Sequence, residues 1–311
     1  MSVYTQVSQS DLESFLEAYA LGRLVDFQGI SAGIENTNYF VDTTKGRFVL
    51  TLFEQHTLDE LPYFLNIMAF MAEHAIPTAH PMADRAGRYL QTLKGKPAAL
   101  VERLEGADLD NPTAHQCEVM GQWLAKFHLA GQDFDDFRAN DRDLAWAETT
   151  YSRLQTKLPA EETALIADEI AFQQQTDWSH LPVSVIHADL FCDNALFDGD
   201  ELAGIIDLYY ACNGPMLYDL AVMVNDWCRL SDHTLDADKV AASLAAYETV
   251  RPLTEAEKTA WAAAQRMGAL RFYLSRLQDQ YQPREGEMTQ IKDPQVFGTL
   301  LQSLRAKDER L

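Results

Sequence analysis

The sequence predicts an α+β protein of two lobes: an N-terminal antiparallel β lobe with a helix over residues 1–101, and a larger, mainly α-helical lobe over residues 102–311. Two observations predict this division. Short apolar runs between glycine-containing turns fill much of the first third of the chain, which is typical of antiparallel strands. From Pro112 onward, apolar residues recur at helical spacing. The segment 102–108 leaves the predicted sheet with a hinge-like bend at Gly106, so the boundary falls there.

The first lobe begins with a predicted amphipathic helix. Ser10 and Glu13 have the spacing of a capping box, and Gly22 is expected to end the helix. Three strands follow, over residues 25–27, 38–41 and 47–53. Between the first two lies a stretch with two glycines and little bulk, which includes Gly33 and Asn36. Its backbone N–H groups could approach phosphates, or it could be an ordinary hairpin connection.

A second helix is predicted over residues 58–74, where Asp59 is preferred as the N-cap because this places Pro62 in the first turn. A hairpin then joins residues 89–93 to 98–104 through Lys94-Gly95-Lys96. At its end, backbone groups around Glu102 and Leu104 are expected to meet the edge of an adenine ring. The second lobe is predicted to contain helices from Pro112 to Gly131, over 141–155, 160–175, 217–230 and 236–249, and from the capping box at Thr254.

Composition and charge restrict the partners of the chain. A formal charge of −22 and a pI near 4.6 argue against binding of nucleic acid, which requires clustered Lys and Arg. The four cysteines show no C-x-x-C spacing and are expected to be reduced thiols. No signal peptide and no membrane-length apolar run is recognised, so we expect a soluble, cytoplasmic protein that acts on a small metabolite.

Residues 183–226 contain the densest group of polar and acidic side chains among short apolar runs. A short apolar strand leads into a polar loop that contains His187, Asp189 and Asn194. Two further apolar runs bracket Asp198-Gly199-Asp200, which predicts a hairpin. The hairpin brings Asn194, before its first strand, back beside Asp207, after its second. One amide and one carboxylate oxygen at one end of a ribbon suit Mg²⁺, which takes its other ligands from water and substrate phosphates.

The spacing H-x-D-x-x-x-x-N, followed by an apolar strand that ends in Asp, matches the catalytic loop of kinases and its metal-binding aspartate. In that arrangement Asp189 faces the substrate hydroxyl, while Asn194 and Asp207 hold the metal. We interpret His187 as a hydrogen-bonded structural residue. Asp219 precedes an apolar helical stripe and could simply cap a helix.

Two arginines lie on the long helix after Thr254. Arg271 falls inside its apolar face, and a buried arginine must be paired with an anion, either an internal Asp or Glu or a substrate carboxylate. Arg276 lies on the adjoining face.

The order of a β lobe, a hinge and a helical lobe carrying HADLFCDN and IIDLYY resembles the protein-kinase-like aminoglycoside phosphotransferase and choline kinase superfamily. ENTNYFV, RFVLTLFE, DLYYACNGPMLYDLAVMVNDWC and RFYLSRL are similar to its homoserine kinase branch. The resemblance implies ATP and Mg²⁺ as cofactors and L-homoserine as substrate. It implies that Asp189 is the catalytic base, that Asn194 and Asp207 bind magnesium, and that Asp219 supports the loop.

An amino-acid acceptor adds an ammonium and a carboxylate, for which we choose Asp226 and either Arg271 or Arg276 on chemical grounds. The chain departs from the superfamily at Thr51, where a strand lysine is usual. Either Lys45 or Arg47 supplies the missing charge, or metal and backbone do so, which is the alternative we prefer.

Three other functions compete with homoserine phosphorylation. A kinase for choline, methylthioribose or an aminoglycoside would keep the same catalytic block. A metal-dependent hydrolase would act without nucleotide. A pseudokinase would bind ATP without transferring phosphate.

Overall fold

The computed structural model describes residues 5–30, 36–282 and 292–307. The chain divides into two compact units. The first comprises Met1–Gly106 with Ala203–Leu208, and the second comprises Ala107–Leu202 with Tyr209–Leu311. The break at Gly106 lies within the segment 102–108, slightly beyond the boundary at residue 101 that the sequence indicated.

The first unit contains a five-stranded antiparallel sheet in the order β1-β2-β3-β5-β4. Its strands are β1 (Leu24–Gly29), β2 (Asn36–Thr43), β3 (Gly46–Phe53), β4 (Gln91–Leu93) and β5 (Lys96–Glu102). The first three strands and both hairpin turns lie close to their predicted positions, whereas β4 begins two residues later than predicted and β5 begins at Lys96 and ends at Glu102, two residues before each predicted bound. Alternate residues of β2, β3 and β5 point to one face of the sheet, where Tyr39, Leu50 and Leu100 pack with the apolar side of the first helix.

The N-cap of the first helix, α1 (Gln9–Leu16), lies two residues before the predicted cap. Ser8 is the N-cap and forms a capping box with Asp11, so the predicted pair of Ser10 and Glu13 was wrong. The local S-x-x-D pattern satisfies the same backbone donors as S-x-x-E. The helix also ends at Leu16, well before Gly22.

The second helix, α2 (Leu61–Glu73), has Glu60 as its N-cap residue rather than the predicted Asp59. The side chain of Glu60 accepts no capping hydrogen bond from the first turn of α2. Its carboxylate instead accepts hydrogen bonds from the backbone and hydroxyl of Thr57, at 3.0 and 2.8 Å. Pro62 still lies in the first turn, where its missing donor is harmless.

The second unit is mainly helical. Its helices are α3 (Ala114–Gly131), α4 (Leu144–Leu154), α5 (Ala160–Gln174), α6 (Met216–Trp227), α7 (Ala237–Val250), α8 (Glu255–Tyr281) and α9 (Gln295–Ala306). Strands β6 (Val183–Ile186) and β9 (Cys212–Pro215) form an antiparallel pair. The predicted hairpin is present as β7 (Ala195–Asp198) and β8 (Glu201–Ile205). The predicted capping box of Thr254 and Glu257 starts α8.

Helix α8 is the centre of the apolar core of the second unit. Met267, Leu270 and Leu274 are buried on the face that the sequence indicated, and they pack in one cluster with residues of α4, α5, α6 and α9. In the described ranges, no helix combines the length and apolarity that a membrane span requires.

Candidate functional site

Asp219 holds the backbone of the polar loop that follows β6. It lies in the first turn of α6, whose N-cap is Pro215, so the alternative that Asp219 caps this helix was wrong. Its Oδ2 accepts the N–H of His187 at 2.8 Å, and its Oδ1 accepts the N–H of Ala188 at 2.7 Å. The side chain is completely buried. The carboxylate therefore satisfies two successive amides just before Asp189.

The turn held by Asp219 is a strained one. Ala188 has φ of 64°, in the left-handed region that residues with a Cβ rarely adopt. Such a conformation persists only where the surrounding structure fixes it, and it is frequent at functional sites. Here the two hydrogen bonds to Asp219 supply that constraint.

Asp219 is ionised in the fold. Burial, the largest effect, would raise the pKa of its carboxyl, but the hydrogen bonds from His128 and from the amide of His187, together with the electrostatic effect of the two imidazoles, outweigh it and hold the pKa below its ordinary value. His128 is on α3, is fully buried, and has its Nε2 3.0 Å from Asp219 Oδ2. The sequence analysis did not select His128.

His187 and Asn194 both contact Asp189. The N–H of Asp189 donates to Nδ1 of the buried His187 at 3.3 Å, so the ring carries its proton on Nε2. Asn194 ends a short 3₁₀ turn, Cys192–Asn194, and its Nδ2 donates to the carbonyl oxygen of Asp189 at 2.7 Å. Because the amide nitrogen is used in this way, Oδ1 is the atom of Asn194 that is suited to a cation.

Asp207 follows β8 and also has a left-handed backbone, with φ of 60°. Across the described ranges, no group of three or more His, Cys, Asp or Glu has the arrangement of a metal site. A magnesium site of one carboxylate, one amide oxygen, waters and phosphate oxygens has a different donor set. The chemistry of Asn194 and Asp207 fits Mg²⁺.

Arg271 is paired inside the protein. Its side chain on α8 is buried, and its Nη1 lies 3.6 Å from Oδ1 of Asp189. The guanidinium also lies over the rings of Phe272, at 3.7 Å, and Tyr210, at 5.1 Å. Its Nε is buried and has no hydrogen-bond partner in the described chain. Of the two alternatives for its anion, an internal carboxylate is present.

Asp226 and Arg276 lie beside the same loop. Oδ2 of Asp226 accepts the N–H of Cys192 at 2.9 Å, and Oδ1 accepts from Arg229 at 2.9 Å. Arg276 donates to the carbonyl of Asp293 at 2.8 Å. Burial and the repulsion of Arg229 lower the pKa of Arg276 to about 10.

The predicted nucleotide-binding residues belong to the first unit. Gly33 lies outside the described residues. Asn36 begins β2, and its Oδ1 is buried without a hydrogen-bond partner in the described part of the chain. Glu102 ends β5 and donates its N–H to the carbonyl of His80 at 2.9 Å, and Leu104 lies two residues further on.

A family model described as the phosphotransferase enzyme family matches residues 26–253. The chain belongs to this family. It is 48% identical to homoserine kinase of Methylobacillus flagellatus, over 100% of this chain and 98% of that protein. It is 47% identical to homoserine kinase of Neisseria meningitidis serogroup B, over 98% and 100%. These findings confirm the predicted resemblance.

Solved structures show the fold. A spectinomycin phosphotransferase in complex with ADP and spectinomycin has a TM-score of 0.73 at 13% identity, covering 96% of this chain and 98% of that one. A choline kinase from Cryptosporidium parvum has a TM-score of 0.67 at 12% identity, covering 96% and 95%. The predicted α+β, kinase-like fold is thereby confirmed.

Proposed function

We propose that this protein transfers the γ-phosphoryl group of ATP to the side-chain hydroxyl of L-homoserine, giving O-phospho-L-homoserine for threonine biosynthesis. The observation that carries the proposal is near 50% identity to homoserine kinases over the full length of both chains. The arrangement around Asp189 supports it, because a buried cation beside the proposed base suits an acceptor that carries a carboxylate.

In this mechanism Asp189 aligns the acceptor hydroxyl and accepts its proton late in the transfer. The contacts with His187 and Asn194, and the turn fixed by Asp219, hold Asp189 in place, so positioning supplies much of the rate enhancement. When bound, Mg²⁺ supplies positive charge to the phosphate oxygens. Asn194 Oδ1 and Asp207 are its proposed ligands.

The amino-acid part of the acceptor requires two charged partners. Between the two candidate arginines, the contacts favour Arg271 for the carboxylate, because its buried Nε has no partner among residues 5–30, 36–282 and 292–307, while Arg276 donates to Asp293. Asp226, the proposed partner of the ammonium, would receive it beside the bonds that it already makes to Cys192 and Arg229.

ATP is proposed to bind through the first unit, with Gly33 and Asn36 near the phosphates and the backbone of Glu102 and Leu104 at the adenine edge. Oδ1 of Asn36, which has no hydrogen-bond partner among the described residues, supports a polar ligand at this position. The four cysteines are free thiols, which fits a reducing compartment, and we propose the cytoplasm as the location.

A coupled ADP-release assay tests the proposal. The purified protein, with ATP and Mg²⁺, is offered L-homoserine, L-serine, choline, methylthioribose and an aminoglycoside. We expect the highest kcat/KM for L-homoserine, with O-phosphohomoserine identified by ³¹P NMR. A higher value for another acceptor contradicts the assignment, and ATP binding without transfer to any acceptor indicates a pseudokinase.

A variant of the base completes the test. Asp189→Ala should lower kcat by about 100-fold or more, the usual scale for a positioned acid–base group, while ATP binding changes little. Near-normal turnover would remove Asp189 from this role. Cleavage of a substrate without nucleotide would instead favour a hydrolase.

A further inference from the structure

Two polar side chains lie opposite each other in the middle of the five-stranded sheet. Asn38 of β2 and Thr51 of β3 are register partners, so both side chains point to the same face of the sheet. On β5 the register partner of Thr51 is Ala99, which adds only a methyl group to this face. Tyr39 and Leu50, their neighbours in sequence, pack in the apolar core with α1. Asn38 and Thr51 therefore lie on the face opposite that core.

One hydrogen bond fixes the orientation of the Asn38 amide. The hydroxyl of Thr51, a residue that is only 4% exposed, donates to Oδ1 of Asn38 at 2.9 Å. The carbonyl end of the amide is thereby held at Thr51, and the Nδ2 end is turned away from it. Asn38 is half-buried, and within the described ranges its Nδ2 donates to no other group. Its two N–H donors can therefore meet a ligand on this face.

The amide lies beside the stretch that is proposed to approach the phosphates of ATP. The backbone N–H of Ile30, which directly follows β1, donates to the carbonyl of Asn38 at 2.8 Å. Asn36, two residues before Asn38 on the same face, has a buried Oδ1 without a partner in the described part of the chain. Both described ends of the stretch thus adjoin the Asn38 side of β2.

The charges of the first unit fit a neutral pair at this position better than a lysine. An ammonium group at a position as buried as Thr51 would need a carboxylate partner, because an unpaired buried charge is costly. Glu54, just after β3, binds Lys96. Glu73, the single acid of α2, lies in its last position and contacts His80 at 3.4 Å. A hydroxyl paired with an amide requires no such carboxylate.

We propose that Asn38 binds the polyphosphate of ATP through Nδ2, and that Thr51 positions the amide for this contact. The inference rests on the proposed binding of ATP by the first unit, and it adds the residues that replace the strand lysine. Nδ2 donates to a non-bridging oxygen of the α- or β-phosphate, the groups that the lysine of kinases contacts. An amide carries no charge, so neutralisation of the triphosphate is left to metal and backbone amides.

Variants of Asn38 separate phosphate binding from binding of the nucleoside. A hydrogen bond to a charged group corresponds to about 10- to 150-fold in Kd. Asn38→Ala should therefore raise the Kd for AMP-PNP, an ATP analogue that resists transfer, by about tenfold or more. The Kd for adenosine, which has no phosphate, should stay within about twofold. Asn38→Asp keeps an oxygen that accepts from Thr51 but replaces the donor by a carboxylate oxygen, so the Kd for AMP-PNP should rise further.

Isothermal titration calorimetry of the full chain, with Mg²⁺ and either AMP-PNP or adenosine, measures these values without any acceptor. Thr43→Val is a matched control, because it removes a hydroxyl of the same strand that donates to Leu21 on the other face. It should leave both Kd values unchanged. An equal rise for both ligands in Asn38→Ala, or no rise, overturns the proposal, as does a wild type that binds the two ligands equally well.

A double variant tests whether Thr51 acts through the amide. Thr51→Val removes the hydroxyl at nearly constant volume and lets the amide rotate, so the Kd for AMP-PNP should rise by about threefold or more. Asn38→Ala combined with Thr51→Val should bind AMP-PNP as Asn38→Ala alone does. Losses that multiply contradict a positioning role for Thr51.

The binding data and the transfer assay keep the two proposals separate. If the protein binds AMP-PNP but does not phosphorylate L-homoserine, the proposed function fails, while the calorimetry still decides the role of Asn38. If Asn38→Ala does not fold, Asn38→Asp takes its place, since it retains the hydrogen bond with Thr51. A Kd for AMP-PNP within about twofold of the wild type in that variant overturns the proposal.

Discussion

The contacts of Arg271 give the most specific prediction about how the acceptor binds. Its side chain is 6% exposed, one guanidinium nitrogen lies 3.6 Å from the Asp189 carboxylate, and Nε has no partner within the described chain. Arg271→Met removes the charge, the ion pair with Asp189 and the Nε–H donor, while it keeps an unbranched side chain of similar width. If the acceptor carboxylate binds to the Nε edge, this variant should discriminate between acceptors with and without that group.

The size of the effect follows from the interactions that are lost. A hydrogen bond between charged groups contributes about 1.5–3 kcal/mol, so kcat/KM for L-homoserine should fall by about 10- to 150-fold from this contact. The loss of the Asp189 partner adds a second reduction, which applies to every acceptor. L-homoserinol, in which a hydroxymethyl group replaces the carboxylate, should suffer only this second reduction.

The coupled ADP-release assay gives kcat/KM of the wild type and of Arg271→Met for both acceptors. The ratio of the two losses isolates the contact with the carboxylate, because the effect on Asp189 is common to both acceptors and cancels. Arg276→Met is the matched variant, and it should reduce kcat/KM for the two acceptors about equally. If Arg271→Met lowers both acceptors by the same factor, then Arg271 acts on Asp189 alone. If Arg276→Met shows the selective loss, the carboxylate binds to Arg276.

Three further predictions concern metal, stability and pH. Asp207→Ala should abolish Mg²⁺-dependent turnover, and activity at an unchanged metal requirement would refute its assignment as a ligand. Arg266→Leu removes the nearest cation of the fully buried Glu169, which keeps the hydrogen bond from Gln173 and Arg305 at 3.8 Å, so it should cost up to about 3–5 kcal/mol in urea unfolding, which Glu169→Leu in the same chain should largely recover. Because folding lowers the pKa of Asp219 below 3.8, its ionised form stabilises the fold above that pH. The stability difference between wild type and Asp219→Asn should therefore shrink as the pH falls through 3.8; a constant difference would refute this.

The sequence was informative where the signal is local. The Asp198-Gly199-Asp200 turn, the strands beside it and the capping box at Thr254 all depend on residues a few positions apart, and each lies where it was predicted. The kinase-like spacing from His187 to Asn194 is of the same kind, because one short loop determines which of these side chains can meet Asp189.

Contacts between residues far apart in the sequence could not be predicted from such local patterns. His128 and Asp219 are 91 residues apart, and a histidine on an apolar helix face gives no sign of its partner. The start of α1 was misplaced for a different reason: two serines, Ser8 and Ser10, offer overlapping capping patterns, and packing of the helix chooses between them. For Arg271, burial required an anion, but only the folded chain could identify it as Asp189.

The missing strand lysine can now be considered from the register of the sheet. Thr51 pairs with Asn38 and Ala99, and its hydroxyl donates to Asn38 at 2.9 Å. Lys96 is three residues from Ala99, and neighbouring residues of a strand point to opposite faces, so Lys96 lies on the other face. There it binds Glu54, which is likewise three residues from Thr51.

The two cations that the sequence suggested, Lys45 and Arg47, are no better placed than Lys96 to replace the strand lysine. Lys45 lies at the β2–β3 turn, and its amine donates to the carbonyl of Ala20. Arg47 shares the face of Thr51, but it is four residues away, about 13 Å along the strand, and it binds Glu105 at 2.9 Å. Among the described residues of this sheet, then, these lysine and arginine side chains are held elsewhere. The contacts favour the alternative in which metal and backbone amides carry the charge of the triphosphate, and Thr51→Lys would place a cation on the face opposite Lys96, at the expense of the hydrogen bond to Asn38.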